Sequence, residues 1–126
     1  MDVQIPCPCP AKSDGAPRHE TDTVTFRDKL GFHAATTIRK EISVLKSDDP
    51  DASVGEILAT MTEHYFIHGI ERWTLVDAKG KAIEPSRSEI RAFLERAEFD
   101  TATTLADAAD ELYAPAVLLP LVARAR

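Results

Sequence analysis

The sequence predicts a mainly α domain with a small β-hairpin: a compact helical body of about five helices, preceded by an extended proline-rich N-terminal arm. Three observations predict it. Apolar residues recur at three- and four-residue steps through most of the chain. Two Ser-x-x-Glu capping patterns stand at helix starts. Four of the eight prolines fall within the first 17 residues, where they disfavour helix.

The expected arm covers residues 1–21 and the expected domain residues 22–126. In the arm, Pro6-Cys7-Pro8-Cys9-Pro10 favours a polyproline-like strut, and Ser13-Asp14-Gly15 supplies turn chemistry. Thr23 to Arg27 is a short β-prone run. Leu30, Ala34, Ile38, Ile42 and Leu45 then mark one face of an amphipathic helix that ends before Ser47. Ser53 and Glu56 can cap a second helix, which carries Val54, Ile57, Leu58, Met61 and Tyr65 inward, with Gly69 placed to end it in a left-handed conformation.

Ile70 to Val76 is β-prone, Asp77-Ala78-Lys79-Gly80 is a turn, and Lys81 to Ile83 can return as the second strand of a hairpin. Ser86 and Glu89 form the second capping pattern, opening a helix with Ile90, Phe93 and Leu94 on one face. Leu105, Ala109, Leu112 and Tyr113 mark a further helix, and Pro115 is expected to open a last one carrying Val117, Leu118, Leu121 and Val122.

Composition narrows the function. The formal net charge is −6, so a phosphate backbone is repelled and nucleic acid is not expected as a partner. No signal-like or membrane-spanning segment is expected, because the most apolar run, Val117 to Val122, is short and broken by Pro120. The expected location is the cytoplasm of whatever cell makes the chain.

Catalytic patterns are absent: there is no phosphate-binding glycine loop, no Gly-x-Ser-x-Gly elbow and no spaced nucleophile–base set. An enzyme is therefore not expected, and neither is a cofactor. Cys7, Cys9 and His19 are the candidate metal ligands, with a fourth to come from His33, His64 or His68. Against them, Cys-x-Cys is tighter than the usual zinc spacing, and no second cysteine pair exists. His64 and His68, four apart with Glu71 beyond, have the spacing of a shared metal but lack the glutamate of a metalloprotease helix.

One run resembles a known pattern. Gly69-Ile70-Glu71-Arg72-Trp73-Thr74-Leu75-Val76-Asp77-Ala78-Lys79-Gly80-Lys81 resembles a Trp-x-Leu-x-Asp-x-x-Gly hairpin of small proteins from tailed-phage structural modules. The stretches Ile5 to Pro10, Asp22 to Arg27 and Leu105 to Tyr113 are similar to parts of such proteins. The description that fits is a tail-assembly-chaperone-like protein. The resemblance implies a non-enzymatic factor of tail assembly that binds a long helical tape-measure protein and keeps its apolar surface from aggregating. It implies no cofactor, carries no catalytic residue, and places the chain in the cytoplasm of the host cell, with the virion as the alternative.

Two alternatives stand beside it. One is a structural virion component, a tail or head–tail connector subunit; the other is a zinc-stabilised protein-interaction module. The expected contact surface is Val117, Leu118, Leu119, Leu121 and Val122, which occupy nearly every angle of the last helix. The partner is a protein, with self-association left open.

Overall fold

A computed structural model describes residues 1–118. Seven elements follow in the order β1 (Asp2–Pro6), β2 (Thr21–Phe26), α1 (Phe32–Asp48), α2 (Val54–Gly69), β3 (Ile70–Trp73), α3 (Arg87–Arg96) and α4 (Phe99–Leu118). The strands form one antiparallel sheet in the order β1-β2-β3. Among the described residues there are thus four helices and a three-stranded sheet, an α+β fold. The expectation of a five-helix, mainly α body behind a free arm is corrected on both counts.

The first correction concerns the arm. Asp2 to Pro6 pairs residue by residue with Thr25 back to Thr21, and Ile5 is 2% exposed. Prolines led the sequence reading toward a strut, yet Val3 and Ile5 alternate as a strand requires. Pro6 is tolerated because it closes an edge strand, where a missing N–H costs no ladder bond.

The second correction concerns the helix count. Pro115 lies inside α4 rather than at the start of a separate helix. A proline there leaves one upstream carbonyl without its helical donor but keeps a helical φ. The Arg39 side chain of α1 reaches the end of α4, placing Nε 3.2 Å and Nη2 3.0 Å from the Ala116 carbonyl oxygen.

The capping residues act as their sequence suggests. Ser53 accepts from the Glu56 amide at 3.1 Å, and Ser86 accepts from the Glu89 amide at 3.3 Å. The expected hairpin is shorter than its pattern: only Ile70–Trp73 is strand, and it pairs with β2. Beyond it, a single bridge joins Val76 to Ala82 across the Asp77–Gly80 turn, where Gly80 takes a φ of 81°.

The helices close over a core of Val24, Phe26, Ile38, Tyr65, Phe66, Ile90, Phe93 and Tyr113. Phe26 meets Phe66 and Tyr113 edge-on, with ring centroids 5.7 and 6.3 Å away. Gly69 does not adopt a left-handed conformation; it is small because the Tyr113 ring packs against its backbone. No helix among the described residues is long and apolar enough to cross a membrane.

Candidate metal centre

Beyond β1 the chain runs through Pro8 and Pro10 without regular structure and returns into β2 at Thr21. This return brings Cys7 and Cys9, at its start, onto His19 and Asp22, at its end. One ligand atom from each of the four lies within 4.8 Å of every other, and among the described residues no other group of three or more metal-type donors is assembled.

Each position has a local cause. Extended backbone points residues two apart to the same side, so the single residue between the cysteines is what lets both thiols face one point. The sequence reading counted that spacing against a shared site. The i, i+3 step from His19 to Asp22 places Nδ1 2.8 Å from Oδ1.

Asp22 was missed as a candidate. It stands opposite Ile5 in the sheet register, on the face that also carries Val24, and it is 1% exposed. The signal lay in the alternation Asp22-x-Val24-x-Phe26, which puts an acid where the strand turns inward.

A buried carboxylate needs compensation. Burial alone would raise its pKa, but hydrogen bonds from the Cys7 thiol, the Thr74 hydroxyl and His19 outweigh burial and hold it below the usual carboxylate value. The Thr74 hydroxyl donates to Oδ1 at 2.6 Å, and the Cys9 thiol donates to Oδ2 at 3.5 Å. Cys9 in turn accepts from the Val76 amide at 3.3 Å. Burial pushes the Cys9 thiol up to about 11, the reverse of what an activated nucleophile requires.

The remaining candidates fall elsewhere. His64 and His68 stack with centroids 6.1 Å apart, while Glu71 is drawn to Arg72 at 3.3 Å and to Arg27 at 3.8 Å, away from any shared site. His33 begins α1 and is exposed. Of the expected contact residues, Val117 is a buried member of the core and Leu118 is the last residue of α4. Leu119, Leu121 and Val122 lie outside the described residues.

A second feature, unforeseen in the sequence, is a groove of about 470 Å³ between α2, α3 and α4. Ala59, Leu94, Ala102 and Ala106 are among its lining residues, and Phe99 stands beside them 80% exposed. The Arg91–Glu63 ion pair, with Nε 2.6 Å from Oε1, also lines it.

Compared with known proteins, the chain matches no family model, no curated protein and no solved structure.

Proposed function

We propose that this chain is a non-enzymatic protein-binding factor that shields the apolar face of a helical partner, in the manner of the tail-assembly chaperones its sequence resembles. The observation that carries the reading is the groove between α2, α3 and α4. Small side chains at Ala59, Ala102 and Ala106 leave a trough there, and Phe99 offers a large ring to whatever lies in it. Exposed aromatic surface beside a trough is the usual form of a helix-accepting site. The partner class, a long helical tail protein, is taken from the resemblance.

Co-expression tests the reading. A tape-measure-like protein that is insoluble alone is expected to become soluble beside this chain. Phe99→Ser and Ala106→Arg are expected to abolish that rescue while the thermal midpoint of the isolated chain changes little, because Phe99 contributes almost no buried area. Undiminished rescue by both variants would contradict the groove as the contact surface. Retention of the chain in finished particles at fixed copy number would favour a structural subunit instead.

A further inference from the structure

We propose that Cys7, Cys9, His19 and Asp22 form a structural zinc site that pins the β1–β2 connection to the sheet. The site is independent of the partner-binding surface, with which it shares no residue.

The donor set comes first. Two thiolates, an imidazole nitrogen and a carboxylate oxygen are the ligand types that zinc takes in closed four-coordinate sites. Two sulfurs in the set disfavour magnesium and calcium, which select oxygen. Zinc bonds of about 2.0–2.3 Å place tetrahedral ligands roughly 3.3–3.8 Å apart. The Cys9 Sγ to Asp22 Oδ2 separation, 3.5 Å, already has that length, and no pair in the group exceeds 4.8 Å.

Cys9 Sγ lies 3.5 Å from Oδ2, and His19 Nδ1 lies 2.8 Å from Oδ1. A cation among these atoms displaces the two thiol protons and supplies a full positive charge beside a carboxylate buried on the core face of β2.

The surroundings support the ligands as well. Thr74 holds Asp22 Oδ1 and leaves Oδ2 toward Cys9, while the Val76 amide hydrogen-bonds the sulfur. Such outer contacts orient ligands and stabilise a thiolate. Pro6, Pro8 and Pro10 bracket the two cysteines and restrict the backbone that carries them. A packing role for the cysteines explains neither their convergence with an imidazole on a buried acid nor the two donors, Thr74 and Val76, aimed at the same cluster.

The consequence is mechanical. The segment between Cys9 and His19 contains no helix or strand, and its ties to the body include Arg18, which donates to the Pro10 and Ala78 carbonyls. One ion holding both of its ends closes this loop and fixes Cys9 against the turn that follows β3.

The test uses the full chain, purified without chelator, with zinc content measured on the protein and Co(II) titrated into protein stripped of metal. One zinc per chain is expected. Cobalt is expected to give the visible bands of a tetrahedral site and a thiolate-to-metal charge-transfer band. Cys9→Ser is expected to weaken that band and His19→Cys to strengthen it, since a third sulfur joins the ion. His19 is one-third exposed, so its replacement spares the core. His19→Ala is expected to lower zinc affinity at least ~10-fold. Sub-stoichiometric zinc together with a cobalt spectrum lacking charge transfer would overturn the proposal. So would His19→Cys leaving the spectrum of the parent unchanged. All readouts are made on the isolated chain, so they stand whether or not the partner reading does.

Discussion

A methyl group on Gly69 would sit 2.5 Å from Cε2 of Tyr113 and 2.8 Å from its hydroxyl oxygen. The ring cannot retreat, because it is fully buried and its hydroxyl donates to the Arg27 carbonyl at 2.5 Å. Gly69→Ala is therefore expected to cost about 1–3 kcal/mol in urea denaturation. Paired with Tyr113→Leu, its cost should be smaller than the sum of the two single changes, since both act on one contact; full additivity would contradict the packing. At His68, burial holds the imidazole pKa below its ordinary value, and repulsion from His64, Arg87 and His33 acts in the same direction. The unfolded chain takes up a proton near the ordinary value of about 6.5, while the folded one resists. Stability is thus present in full above that pH and declines as the pH falls toward the lower folded value. His68→Gln should flatten this decline in denaturation midpoints followed across the range; an unchanged slope would remove His68 as its source. Neither Gly69's role nor the Thr74 bond to Asp22 could be read from the chain, because each depends on an atom brought from far along it.

At the scale of elements, what was legible was local. Ser53 and Ser86 begin helices through bonds that span three residues, so a short window of sequence contains the whole cause. Ser53→Ala and Ser86→Ala should each cost about 1 kcal/mol. What was misread depended on a distant partner. Val3 and Ile5 form a strand only because β2 lies beside them, and the prolines that follow suggested a strut in its absence. Ile5→Ala separates the two pictures. A free arm would lose nothing, whereas a buried edge-strand residue should cost about 2–4 kcal/mol. The helix break expected at Pro115 failed for a related reason: a proline ends a helix on local grounds, but Val117 is buried in the core, and packing carries α4 through it.

At the scale of the molecule, an antiparallel sheet and, among the described residues, four helices share one core, with two separate features set on it. The groove lies between α2, α3 and α4, and the Cys7–Cys9–His19–Asp22 cluster lies at the end of the β1–β2 connection. Three of the cluster's four members were visible as a cysteine pair with a nearby histidine. The carboxylate that completes it was passed over: the alternation Asp22-x-Val24-x-Phe26 carries it, but a lone acid in a short β-prone run does not by itself announce a ligand. The central claim is that a metal ion fastens this connection to the sheet, and amide hydrogen exchange tests it most directly. Metal-stripped protein is compared with the same protein given one equivalent of zinc. Exchange is expected to slow from Cys7 through Thr23 and at Val76, whose amide donates to Cys9, and to stay unchanged in α3. Identical exchange along the connection with and without zinc would contradict the claim.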